Sequence, residues 1–132
     1  MIVDTGPLVL LLAEHHDSRY EKCQALFEAC RGELVTTYPC LTEAMHHLGD
    51  WHHRSGLWNW ILDNSLVLYD LSKSDLVRMG FLMQKYSDAP MDFADASLIA
   101  TAETRNSNKI FTLDGDFTVY RFRDRSPFDI FP

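Results

Sequence analysis

Four short apolar segments alternate with stretches of helical periodicity, and this alternation constrains the fold more than any other feature of the chain. Met1 to Asp4, Glu33 to Thr37, Ser65 to Tyr69 and Lys109 to Thr112 read as buried strands. Between them, apolar spacing predicts helices over Leu8–Glu14, Ser18–Cys30, Pro39–Leu48, Arg54–Asn64 and Ser72–Tyr86, with another opening at Asp92. Gly6-Pro7, Gly32 and Asn106 to Asn108 supply the punctuation, and Ser72 with Asp75 has the spacing of a capping box. Leu113 to Asp116 reads as a turn. Strands alternating with helices predict an α/β fold, a mostly parallel sheet covered by helices on both faces, in one domain over residues 1–132. Sheets of this type hold their sites beyond the carboxyl ends of the strands, where strand order reverses.

Acidic residues stand at those ends. Asp4 ends the first strand, and Asp114 follows the strand that ends at Thr112. Glu43 lies in the first turns of a helix entered from a strand. Asp92 and Asp95 share one face of a helix start, because residues three apart on a helix are neighbours. Asp116 is two residues beyond Asp114. Taken singly, each acid is better read as a cap or a surface charge; Asp92 and Asp95 in particular suit a helix amino terminus. As a set drawn from distant segments, they would repel unless a cation neutralised them. Oxygen-rich sites of this kind suit Mg²⁺ or Mn²⁺, and two such ions about 4 Å apart can support phosphodiester hydrolysis.

The chain carries 19 acids against 12 bases, a net charge of −7, which excludes binding nucleic acid by sheer positive charge. A site that works through bound divalent cations escapes that exclusion, since the metal supplies the charge a phosphate meets. No apolar run approaches the ~20 residues of a membrane span, and Leu8 to Ala13 follows an acid, unlike a signal peptide. Cys23, Cys30 and Cys40 are odd in number and lack metal-ligand spacing, so a reduced, cytoplasmic protein is expected.

Four pieces in order resemble the PIN-domain ribonucleases, and most closely the VapC-type toxins of toxin–antitoxin pairs. They are Ile2 to Thr5 with Pro7-Leu8, Leu41 to Ala44, Met91 to Ala102, and Ile110 to Phe117. The resemblance implies a three-layer sandwich and a Mg²⁺- or Mn²⁺-dependent endoribonuclease. It implies catalytic and metal-binding roles for Asp4, Glu43, Asp95 and Asp114, with Asp92 and Asp116 in support. Thr5 and Thr112 fall where the family uses hydroxyls to hold acids or water. For the fourth acid, Asp114 is preferred over Asp116 because it is nearer the strand end. A homodimer restrained by a small cognate antitoxin, acting on RNA, is the implied assembly.

Rival readings are weaker. Asp4-Thr5-Gly6 matches the aspartic-protease triplet, but those proteases are all-β and need two such loops. A phosphatase with Asp4 as nucleophile would want an acid at position 6, which is Gly. The histidine pairs His15-His16, His46-His47 and His52-His53 invite zinc, yet adjacent helical residues point about 100° apart. They are expected to face solvent or pack. Trp51, Trp58 and Trp60 are expected in core or interface. Arg121, Arg123 and Arg125, alternating with Phe122 and Asp124, read as phosphate contacts or the solvated face of an edge strand. The same fold could also serve as a protein-binding module without catalysis.

Overall fold

Strand residues of alternating side chain sort onto two faces, and each face recruits its own helices. The computed structural model describes residues 1–132. Its central sheet is built from β1 (Ile2–Val3), β2 (Leu34–Thr37), β3 (Leu66–Tyr69), β4 (Lys109–Phe111) and β7 (Asp129–Phe131), in the order β3-β2-β1-β4-β7 and parallel throughout. Ile2, Val35 and Ile110 pack on one face against Leu98, Ile99 and Ala102 of α6 (Phe93–Thr104) and Leu82 of α5 (Lys73–Lys85). Val3, Leu34, Leu66 and Phe111 point the other way. They bury against α1 (Thr5–Leu12), α2 (Tyr20–Ala29), α3 (Tyr38–Leu48) and α4 (Trp51–Leu62), through Leu8, Phe27, Ala44 and Leu57. The result is the expected three-layer α/β sandwich. No helix is long and apolar enough to cross a membrane.

The chain runs outward from β1 through β2 to β3, then returns to lay β4 on the other side of β1. Strand order therefore reverses between β1 and β4, which leaves a crevice at their carboxyl ends.

Several boundaries differ from the sequence expectation. The first helix begins at Thr5, not Leu8, because the Asp4 carboxylate accepts the Thr5 N–H and caps it. Gly6 and Pro7 form its first turn instead of a preceding bend. Likewise α4 begins at Trp51, not Arg54, with Asp50 capping the His53 N–H. Trp51 and Trp58 are 64% and 42% exposed, so neither is core; Trp60 is half-buried and packs on Phe27 with ring centroids 4.1 Å apart. The arginine-rich segment is a hairpin of β5 (Arg121–Phe122) and β6 (Ser126–Pro127), antiparallel and separate from the main sheet. Arg123 and Asp124 turn it in the left-handed region, at φ 52° and 61°. Arg78 of α5 fastens this hairpin, bonding Glu103 of α6 at 2.8 and 2.9 Å and Asp124 at 3.0 Å.

Candidate functional site

The reversal crevice opens into a cavity of about 560 Å³ whose lining includes Asp4, Glu43, Asp92, Asp95 and Asp114. Five acids from four separate segments thus share one wall, at the carboxyl edge of the sheet. Asp116, the sixth acid considered, is not part of that lining; its N–H instead donates to Asp114 Oδ1 at 2.9 Å.

Each acid is held by its own local structure. Asp4 leaves β1 as the cap of α1: its Oδ1 accepts the Thr5 N–H at 2.7 Å, and its Oδ2 accepts the Thr112 hydroxyl at 2.7 Å. The Thr112 oxygen in turn accepts the Asp114 N–H at 3.0 Å. With that lone pair taken from the Asp114 side, the single hydroxyl proton of Thr112 is directed at Asp4. One hydroxyl therefore ties the ends of β1 and β4 together. Thr5 does the same toward α3, its hydroxyl lying 3.2 Å from Glu43 Oε2 and 3.3 Å from the Cys40 carbonyl.

Asp92 and Asp95 form a reciprocal capping box at the start of α6. Asp92 Oδ1 accepts the Asp95 N–H at 2.8 Å, and Asp95 Oδ2 accepts the Asp92 N–H at 3.3 Å. The structural reading of this pair is thus correct, and it does not compete with a place in the cavity. Both acids line it while they cap. Tyr120, fully buried, adds its hydroxyl at 3.4 Å to the same Oδ2, leaving Asp95 Oδ1 without a protein partner.

Mutual repulsion is written into the acidities. Burial pushes the Asp4 carboxyl above its ordinary value, the Thr112 and Thr5 hydrogen bonds pull it back, and Asp114 and Glu43 add repulsion. Asp95 is raised to about 7, first by burial and then by the charge of Asp92, with Asp4 and Asp114 contributing. The buried Cys40 thiol is pushed up to about 12, by burial and then by Asp4, so it stays protonated and is no nucleophile.

The carboxylates and hydroxyls that converge here are hard oxygen donors, a set that fits Mg²⁺ or Mn²⁺. No three Asp, Glu, His or Cys side chains form a ready-made coordination cluster.

Three further side chains share the cavity: two come from histidine pairs expected to face solvent or pack, and the third was not singled out in the sequence. His15, Arg19 and His47 also line the cavity, opposite in character to its acids. Only one member of each of two histidine pairs reaches it; for His46-His47, on α3, the angle between adjacent helical residues accounts for that. Arg19, paired with Asp17 at 2.6 Å, precedes α2, and no spacing rule would have singled it out.

This fold is that of a known family. Residues 1–123 match the PIN domain, and the chain belongs to that family. Among solved structures, VapC20 of Mycobacterium tuberculosis, a Sarcin-Ricin loop cleaving toxin, superposes with a TM-score of 0.79 at 16% identity, over 96% of this chain and 98% of that one. A chain of a toxin-antitoxin complex from Klebsiella pneumoniae does so with a TM-score of 0.68 at 19% identity, over 88% of each. No curated protein matches the chain by sequence.

Proposed function

We propose that this chain is a divalent-metal-dependent endoribonuclease, the toxin of a toxin–antitoxin pair, acting as one PIN-like domain over residues 1–132. The observation that carries the reading is the convergence of Asp4, Glu43, Asp95 and Asp114, four acids from four distant segments, on one cavity at the strand-order reversal. Membership of the PIN domain family and the likeness to VapC20 support it.

Asp4, Glu43, Asp95 and Asp114 would hold Mg²⁺ or Mn²⁺ directly or through its waters. A bound divalent cation supplies the charge that neutralises a phosphate and acidifies water for attack on it. The protein's own part is orientation. Thr112 and Thr5 fix the carboxylates of Asp4 and Glu43, while Asp92, by capping α6, fixes the backbone that carries Asp95. Asp116 steadies the Asp114 carboxylate through its N–H. Arg19, His15 and His47 lie where they can meet flanking phosphates of an RNA strand.

Exposed apolar side chains support partners. Trp51 and Trp58 border a groove with Leu41 and Met45, and Leu76, Val77 and Phe81 form an outward stripe on α5. A homodimer and a small antitoxin would bury such surfaces, and basic antitoxin side chains would neutralise the acid cavity. The Klebsiella pneumoniae neighbour comes from a toxin-antitoxin complex, which supports an antitoxin partner here. A reduced, cytoplasmic setting accords with three free cysteines.

The test is purified protein on single-stranded RNA with Mg²⁺ or Mn²⁺ and with EDTA. Cleavage requiring the ion, and reduced about 10²-fold or more in Asp4→Asn and Asp95→Asn, is expected. Undiminished cleavage by both variants would refute the assignment. RNA left intact by the wild type under every divalent ion would favour a binding module instead.

A further inference from the structure

A second groove, of about 650 Å³, adjoins the acid cavity and shares Glu43 and Asp92 with it. Two aromatic residues flank it at the amino ends of neighbouring helices: Tyr38 opens α3 and Phe93 opens α6. They are 53% and 49% exposed, although each follows a buried strand or leads a buried helix. Pro39 and Leu71 add apolar surface, and Asp70, just past β3, supplies a further carboxylate. No Lys, Arg or His lines this groove.

We infer that the groove seats the nucleobase next to the scissile phosphate, with Tyr38 and Phe93 as the stacking surfaces and Asp70 as a reader of base N–H groups. The inference rests on the nuclease reading above and names the part of the substrate that reading leaves open. Continuity decides the occupant. A strand whose phosphate lies over Asp4 and Asp95 must carry its neighbouring nucleotide past Glu43 and Asp92, the walls the two cavities share. The chemistry decides which part of that nucleotide enters. A sugar–phosphate would meet the carboxylates of Glu43, Asp70 and Asp92 with no cationic side chain to offset them, whereas a base offers a π-face to the aromatics and N–H donors to the acids. Ionised carboxylates only accept hydrogen bonds, so bases with adjacent donors gain most. Guanine, with an imino N–H beside an amino group, is the preferred occupant.

The experiment uses short single-stranded RNA oligonucleotides with each of the four bases on either side of the cut, in Mg²⁺. Wild type should prefer guanine at one flanking position. Tyr38→Leu and Phe93→Leu, both at exposed positions, should lower kcat/KM by roughly 5- to 100-fold, chiefly through KM, with an unchanged melting temperature. Tyr38→Phe, which keeps the ring, should retain most of the wild-type value. Asp70→Asn should flatten the base preference, lowering kcat/KM most for the oligonucleotides with guanine at that position. If wild type cuts RNA and the Leu variants cut it equally well with the same preference, the base seat is wrong and the nuclease reading stands. If wild type cuts none of the oligonucleotides, both fall together.

Discussion

Thr112 is the side chain on which the crevice turns. It is 3% exposed, its hydroxyl donates to Asp4, and its oxygen accepts from the backbone of Asp114. Thr112→Val keeps the shape and removes both bonds, stranding a backbone N–H and loosening one carboxylate. A stability loss of about 1–3 kcal/mol is expected from urea denaturation. Cleavage should also fall, because Asp4 loses its orientation; a variant as active and as stable as wild type would show that the hydroxyl only fills space. Thr5 has less to lose, since its bonds at 3.2 and 3.3 Å are longer and one proton is divided between them. These hydroxyls were legible beforehand only through family resemblance. Nothing in the bare sequence says that position 112 reaches position 4.

Among the elements, α5 carries a buried acid that accepts four hydrogen bonds, and it lies away from the site. Asp75 is 3% exposed and accepts bonds from the Tyr69 and Thr104 hydroxyls, the Ser72 hydroxyl and the Ser72 N–H. Despite the upward push of burial, those bonds hold its carboxyl below the ordinary value. A depressed acidity in the folded state stabilises above the unfolded pKa and is lost as pH falls through the folded one. Asp75→Ala should therefore cost on the order of 3 kcal/mol at pH 7 and less under acid conditions, measured by thermal melts at both. Cleavage rates at temperatures where it stays folded should not change. The capping box behind this was readable as Ser72 with Asp75, because the signal is local. Local signals also found the α6 start and the four strands around the crevice. They failed where structure is set from afar. The turn of the β5–β6 hairpin uses Arg123 and Asp124 at left-handed φ, without the Asn-Gly or Asp-Gly pair that advertises such turns. Strand β7 is three residues long and exists because Lys109–Phe111 offers it an edge. Its pattern alone is too short to announce a strand.

At the scale of the whole molecule, the acid cavity sets stability against readiness to bind a cation. Asp95, with a folded pKa of about 7, binds its proton more tightly than in the unfolded chain. Its stabilisation is complete below about pH 4 and is lost as pH rises through about 7. In EDTA, Asp95→Asn should consequently melt a few degrees above wild type at pH 8, with the gap closing toward pH 5. Adding Mg²⁺ at about 100 times its Kd should lift the wild type by about 2.7 kcal/mol and the variant by less. A variant that melts below wild type at pH 8 without metal would mean that the carboxylates do not strain the fold. The polarity of the crevice was foreseeable, since acids at strand ends are visible in a sequence. His15, His47 and Arg19 in its lining were not, because the segments that carry them meet the acids only in the folded chain.

The bond between Thr112 and Asp4 spans 108 positions, and Thr5 meets Glu43 across 38. Such a cluster has no partial version. A half-folded intermediate, however helical, would own the ingredients without their meeting. Whatever chemistry the crevice performs should vanish along the same denaturant curve as the last of the tertiary structure, making its activity a sensitive gauge of complete folding.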